Sequence, residues 1–157
     1  MNATWIVSAN AGRARFFSQS GPAARLEEVN DLVNTSARMD DAEIESDSLG
    51  QRAASGSRHG AGAPTTSSTY QPHQTPVQHE TELFARDVAR TLLQAHNEGR
   101  FDKLCLVASP EFLGVLRRLL DPTLGKAVRL EVNKDYTQLT PDELRERLHE
   151  LARGRLH

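Results

Sequence analysis

The sequence has little cysteine and no long apolar run, and each shortage limits what the chain can be. Its single cysteine, Cys105, lies in the apolar stretch 104–107 and has no partner for an internal disulfide, so we expect it to be a buried, small apolar side chain. No stretch approaches the roughly 20 apolar residues that a membrane-spanning helix needs. The first residues also lack the basic and apolar pattern of a leader. These absences predict a soluble, cytoplasmic protein.

Aromatic residues and lysines are also few, and the net charge is small. Aromatic residues make up 5% of the chain and the formal net charge is −2, so no global positive field attracts nucleic acid or anionic lipid. Lysine occurs only at Lys103, Lys126 and Lys134, and arginine carries the remaining positive charge. Arginine suits phosphate better than lysine does, because its planar guanidinium group can donate two parallel hydrogen bonds. A bias in genomic base composition gives the same pattern, and we favour that explanation.

Apolar residues are scarce between positions 35 and 78, where Ser, Thr, Gly, Pro, Gln and His dominate. Such a segment buries too little apolar surface to offset the conformational entropy of ordering it. An acidic run at 40–47 precedes residues 49–79, which contain arginine and histidine but no carboxylate. We therefore predict a single domain, 1–157, with a flexible polar insertion at 35–78.

Apolar patterning in the rest of the chain predicts five strands and three main helices. The strands are expected at 4–9, 13–18, 26–33, 103–108 and 128–132. The helices are expected at 79–97, from Pro110 to Asp121, and from Pro141 to Gly154, with Ser109 and Thr140 as N-cap residues. Glu80 and Glu82 then lie at the start of the first helix, where carboxylates suit the positive end of its dipole.

The order of these elements predicts the fold class. Three strands joined by short connections favour an antiparallel meander. The two later strands are each reached through a helix, which favours parallel pairing by right-handed crossovers. We predict an α/β protein: a single ribonuclease-H-like domain with a mixed five-stranded sheet, in which the first strand lies beside the fourth and the fourth beside the fifth.

In this fold, polar residues collect where strands one, four and five end. Parallel strands share one carboxyl edge, the usual place for ligands in α/β sheets. Asn10 and Arg13 follow the first strand, Ser109 begins the helix after the fourth, and Lys134 and Asp135 follow the fifth. A helix N-terminus flanked by cations favours an anion site. The alternative is that Asn10 makes a turn, Ser109 only caps its helix, and Lys134-Asp135 is a solvated loop pair.

Catalytic chemistry has weak support in the sequence. Two-metal phosphoryl chemistry needs clustered carboxylates, one of them on the first strand. Neither 4–9 nor 103–109 contains a carboxylate, which argues against a nuclease of the ribonuclease H type. A zinc site has weak support, because no cysteine accompanies the possible ligands His73, His79 and Glu80. We predict no catalytic residue, no metal and no cofactor.

Short motifs along nearly the whole chain resemble one known family. They are Trp5-Ile6-Val7 with Asn10, Arg13-Ala14-Arg15-Phe16, 26–32 (LEEVNDL), Gly50, Arg58-His59, His79-Glu80, Phe84-Ala85, 98–102 (EGRFD), Pro110, Phe112-Leu113-Gly114, Lys134-Asp135, Leu139-Thr140-Pro141 and Glu143-Leu144-Arg145. This set is similar to the bacterial host attachment protein family (protein required for attachment to host cells).

That family resembles, more distantly, the middle domain of eukaryotic and archaeal peptide-chain release factors, which has the same mixed sheet and a Gly-Gly-Gln loop. Here Leu49-Gly50-Gln51 stands at the corresponding place, and Leu49 resists backbone angles that glycine permits. The resemblance implies a non-catalytic cytoplasmic module that binds RNA or the ribosome. The residues expected to bind are Asn10, Arg13, Arg15, Gln51, Arg58, His59, Ser109, Lys134 and Asp135.

Two other functions stay open. One is a protein–protein interaction factor that supports attachment to host cells. The other, ranked lowest, is a hydrolase acting on an ester such as peptidyl-tRNA. Salt dependence separates RNA from protein partners, because phosphate binding weakens steeply with ionic strength.

Overall fold

A computed structural model describes residues 3–36 and 75–155, and in them five strands form one mixed sheet. The strands are β1 (Thr4–Asn10), β2 (Arg13–Gln19), β3 (Glu27–Val33), β4 (Lys103–Ala108) and β5 (Val128–Val132). β1 pairs antiparallel with β2 and parallel with β4, so the strand order is β3-β2-β1-β4-β5. This order confirms the predicted α/β fold of ribonuclease-H-like arrangement, with β1 at the centre.

The composition of β1 explains its central position. Residues 5 to 9 are all apolar or small, which a strand covered on both faces requires, and all of them are buried. Trp5 is 4% exposed, and its ring stacks on Phe101 with 5.1 Å between ring centroids. Trp5 is therefore a core residue. Cys105 is also buried, as expected.

Helices cover both faces of the sheet. They are α1 (Pro76–Asn97), α2 (Pro110–Leu119), α3 (Pro122–Ala127) and α4 (Pro141–Arg155). α1, α2 and α3 pack over one face, where Leu92, Leu116 and Leu124 join a single apolar cluster. α4 covers the other face, and its Leu144 packs with Ile6 in a second cluster. None of the described helices combines the length and apolar character that crossing a bilayer requires.

The first helix starts earlier than the apolar pattern predicts. α1 begins at Pro76 instead of His79, because Thr75 and Gln78 form a capping box. The Thr75 Oγ1 accepts a hydrogen bond from the Gln78 amide (3.1 Å), and the Gln78 side chain accepts one from the Thr75 amide (2.9 Å). No acidic residue then lies in the first turn, so the dipole role expected for Glu80 and Glu82 is wrong.

The other helix ends agree in part with the sequence. The predicted N-cap Thr140 is confirmed, since its Oγ1 accepts from the Glu143 amide at 3.1 Å and its own amide donates to the Glu143 side chain at 2.9 Å. α4 continues through Gly154, which therefore does not stop it. Ser109 occupies the N-cap position of α2, but its side chain makes no capping hydrogen bond. α2 ends at Leu119, two residues before the predicted Asp121, which instead caps the unpredicted α3 by accepting from the Thr123 amide at 2.8 Å.

The two N-caps give a matched prediction about stability. Thr75→Ala removes the capping hydrogen bond of α1, so it lowers the free energy of unfolding by about 1 kcal/mol. Ser109→Ala removes no such bond and changes that free energy by less than about 0.5 kcal/mol. Urea unfolding of both variants measures the difference. Equal losses in the two variants would show that the Thr75 box does not hold the start of α1.

Candidate functional site

Asn10 ties the end of β1 to the loop that follows β5. Its Oδ1 accepts hydrogen bonds from the Gly12 amide (2.8 Å) and the Arg13 amide (2.9 Å), which closes the turn between β1 and β2. Its Nδ2 donates to the Asp135 Oδ2 at 2.9 Å and to the Thr137 Oγ1 at 3.3 Å. One side chain therefore joins two elements that are 125 residues apart in sequence.

Asp135 is held on both of its oxygens. Its Oδ1 accepts from the Thr137 Oγ1 at 2.7 Å and from the Thr137 amide at 3.1 Å. Burial on its own raises the pKa of the Asp135 carboxyl, but the hydrogen bonds from Asn10 and Thr137 together outweigh it, so the pKa lies below its usual value. Thr137 is only 1% exposed. The three side chains form one hydrogen-bonded cluster, here called the Asn10–Asp135–Thr137 cluster.

The two arginines of β2 are paired with carboxylates of β3. Arg13 makes a two-point contact with Asp31, through Nε to Oδ1 (3.0 Å) and Nη2 to Oδ2 (2.7 Å). The hydrogen bond to Asp31 raises the pKa of the Arg13 guanidinium above its ordinary value. Arg15 contacts Glu28 in the same way, with distances of 3.0 and 2.9 Å. These cross-strand pairs occupy the planar forks that could otherwise bind phosphate.

Arg15 also stabilises the loop after β5. Its Nη1 donates to the carbonyl oxygens of Thr137 (2.9 Å) and Leu139 (2.8 Å). The guanidinium lies 5.1 Å from the centroid of the Phe17 ring, within the range of a cation–π contact. Arg15 therefore satisfies backbone groups next to the Asn10–Asp135–Thr137 cluster.

The structure brings some of the predicted edge residues together and separates others. Asn10 and Asp135 are in direct contact, and Lys134 is exposed beside them. Ser109 lines a groove between α1 and α2 together with Ala11. Gln51, Arg58 and His59 lie outside the described residues, so their expected role remains a prediction.

Sequence reasoning missed the partners of these residues. Thr137 stands two positions after Asp135, a local spacing at which a short hydroxyl side chain can reach the carboxylate. Arg13 and Arg15 lie on β2, and the sequence predicts that β2 pairs with β3. Since β3 carries Glu28 and Asp31, ion pairs between the two strands could have been expected. The register that decides which pairs form was not readable, because β2 and β3 contain a bulge between Phe16 and Phe17.

Two grooves flank α1. The β3–α1 groove, of about 500 Å³, is lined by Val33, Asn34, Leu83 and Phe84 among others. The α1–α2 groove, of about 550 Å³, is lined by Val77, Ser109, Phe112 and Val115 among others. Both volumes lie in the range of ligand-binding clefts. Among the described residues, no group of three or more His, Cys, Asp or Glu side chains could hold a metal ion.

The sheet order, the helices on both faces and the internally bonded edge define an α/β protein of ribonuclease-H-like arrangement. The family model described as "Protein required for attachment to host cells" matches residues 5–148, so the chain belongs to that family. A comparison with curated proteins gives no match.

Two solved structures are similar at low identity. One, described as an archaeal protein, has 13% identity and a TM-score of 0.45, with 99% of this chain and 40% of that chain covered. The other is the Aquifex aeolicus Ppx/GppA phosphatase, with 10% identity, a TM-score of 0.41, and coverage of 83% and 35%. This chain spans less than half the length of either one, and these similarities are too weak to assign a fold or a function. The similarity to release factors is not confirmed by them.

The lowered pKa of Asp135 predicts a pH-dependent contribution to stability. Because the folded-state pKa lies below the unfolded value of about 3.9, the ionised carboxylate stabilises the fold above that pH, and this stabilisation is lost as the pH falls through the folded-state pKa. We expect Asp135→Asn to lower the free energy of unfolding by about 1 kcal/mol at pH 7, since the cluster is partly solvated. The difference from wild type shrinks below about pH 4.

Asp142→Asn is the control, because Asp142 contacts only the exposed Arg25 among the described residues. It should change the free energy of unfolding by less than about 0.5 kcal/mol at pH 7. A difference for Asp135→Asn that is constant from neutral to acid pH would contradict the pKa shift.

Proposed function

We propose that this protein acts in attachment to host cells by binding another protein, and that the partner sits in the β3–α1 groove. Membership of the attachment family supports the process. The observation that carries the choice of partner is the pair Val33 and Leu83, two large apolar side chains that line the groove and stay 40% and 48% exposed. Exposed apolar side chains grouped in one groove are typical of surfaces that contact another macromolecule or a ligand.

The groove has the anatomy of a small protein-binding site. Phe84 forms its floor and is 6% exposed, so the base is part of the packed core and is rigid. Asn34, Thr91 and Gln94 supply polar groups along its sides. At the rim, Asp87 and Arg90 form an ion pair of 3.1 Å, so these two charges compensate each other. The best fit is a segment that inserts an apolar side chain between Val33 and Leu83 and offers polar groups to the sides.

The sheet edge supports binding over catalysis. In the described part of the chain, Asn10, Asp135 and Thr137 satisfy one another, and Arg13 and Arg15 are each held by a carboxylate. A catalytic centre needs groups that face a substrate and are poised to exchange protons or electrons with it. These side chains instead face each other and stabilise the turn and the loop.

RNA binding is the second candidate, and Lys134 is the observation in its favour. This lysine is exposed at the carboxyl edge of the sheet and forms no ion pair with any described residue. A phosphate contact at this position would make binding strongly salt-dependent. The β3–α1 groove offers the apolar side chains of Val33 and Leu83, and the Asp87 and Arg90 charges at its rim pair with each other, so binding there is expected to depend less on salt.

Leu83→Glu tests the protein-binding proposal. It places a charge in the β3–α1 groove, so we expect cells whose own gene is replaced by this variant to lose attachment to host cells. The matched control is Val29→Glu, at an apolar side chain of similar exposure (43%) that does not line the groove. Attachment counts measure the outcome, and circular dichroism checks that both variants fold. Equal attachment in the two variants would contradict the proposal.

Sedimentation with ribosomes distinguishes RNA binding, the second candidate, from the proposed protein binding. Wild type and Lys134→Glu are compared at low and high salt, with Leu83→Glu alongside. The protein-binding proposal predicts no salt-sensitive pelleting. Pelleting that is lost at high salt and in Lys134→Glu, but kept in Leu83→Glu, would favour RNA.

A further inference from the structure

The outward side of α2 carries one charged residue near each end of the helix. Phe112, Leu113 and Leu116 point into the core, and Arg117 pairs with Glu131. The side of the helix that is left carries Glu111, Gly114, Val115 and Arg118, at the spacing that places residues on one face. This group is called the α2 stripe.

The two ends of the α2 stripe carry opposite charges. Glu111 and Arg118 are both exposed, and neither forms an ion pair with any residue in 3–36 or 75–155. They are seven positions apart on the helix, which is about 10.5 Å along the axis. The midpoint falls between Gly114 and Val115. A Cβ at Gly114 would meet nothing within 4 Å, so another helix can approach closely there.

We propose that a second copy of this chain packs on the α2 stripe, with its own α2 antiparallel about a two-fold axis near Gly114 and Val115. In that arrangement Glu111 of each copy faces Arg118 of the other, because their midpoint lies on the axis. The stripe is thus complementary to itself, which is the condition for a two-fold interface. A parallel arrangement in register places Glu111 beside Glu111 and is disfavoured by like-charge repulsion.

The α1–α2 groove provides the apolar part of this interface. Val77 is 62% exposed on the first turn of α1, and Phe112 and Val115 line the same groove. A second α2 seated along the groove covers Val77 and Val115, whereas Phe112 is 1% exposed and forms the floor beneath them. Exposed ion pairs contribute little affinity on their own, so burial of apolar surface supplies most of the affinity of the dimer. The two Glu111–Arg118 pairs make the antiparallel arrangement of the helices more favourable than the parallel one. This surface runs along a different side of α1 from the β3–α1 groove, so it is independent of the proposed function.

Charge exchange tests the dimer. Sedimentation equilibrium of the full chain gives the dimer dissociation constant for wild type, Glu111→Arg, Arg118→Glu and the variant that carries both changes, here called the double exchange. Each single change places like charges together twice, so we expect dimerisation to weaken about tenfold or more. The double exchange restores the complementarity and should return the dissociation constant to near that of wild type. Wild type that stays monomeric up to about 100 μM, or a double exchange as weak as the singles, would overturn the proposal.

Disulfide cross-linking tests the antiparallel α2 interface independently of the charge variants. Val115→Cys places a thiol near the axis, so mild oxidation should link two copies through it. Glu150→Cys, on the exposed side of α4, is the control and should not link, and Cys105 is buried and adds no background. Equal cross-linking of the two variants would overturn the antiparallel α2 interface, whatever the charge variants do.

Discussion

One hydrogen-bonded side chain, Asn10, links the two halves of the sheet where the central strand ends. Its Oδ1 fixes the turn that leads into β2, and its Nδ2 fixes Asp135 and Thr137 in the loop after β5. β1 lies in the middle of the sheet, so this residue connects the antiparallel half to the parallel half at their shared edge. Arg15 strengthens the same connection from β2 by donating to two carbonyl groups of that loop.

This use of the edge residues has a consequence for function. Polar groups at the carboxyl edge of an α/β sheet commonly face a ligand, whereas Asn10, Asp135 and Thr137 here face one another. Three large apolar side chains that stay exposed, Val33, Val77 and Leu83, line the two grooves beside α1 instead. The protein-binding role proposed for this member of the attachment family rests on that location.

The strands were predictable because their sequences carry the signal themselves. β4 and β5 are bounded as predicted, and the strand order followed from short loops and helical crossovers. The start of α1 was missed because its first turn is polar, although Thr75 and Gln78 have the spacing of a capping box. The ion pairs of Arg13 and Arg15 depend on the register between β2 and β3, which a bulge shifts. Such pairs follow from tertiary geometry, so the sequence did not show that carboxylates hold both arginines.

The most direct measurement is a double-mutant cycle on Asn10 and Asp135. The free energies of unfolding of Asn10→Ala, Asp135→Ala and the double variant isolate the energy of their contact from the other bonds that each residue makes. If the two side chains serve the fold, they are coupled by about 1 kcal/mol, and the variants that stay folded keep attachment. Additive effects on stability, together with loss of attachment in folded single variants, would contradict this and make the sheet edge the binding site.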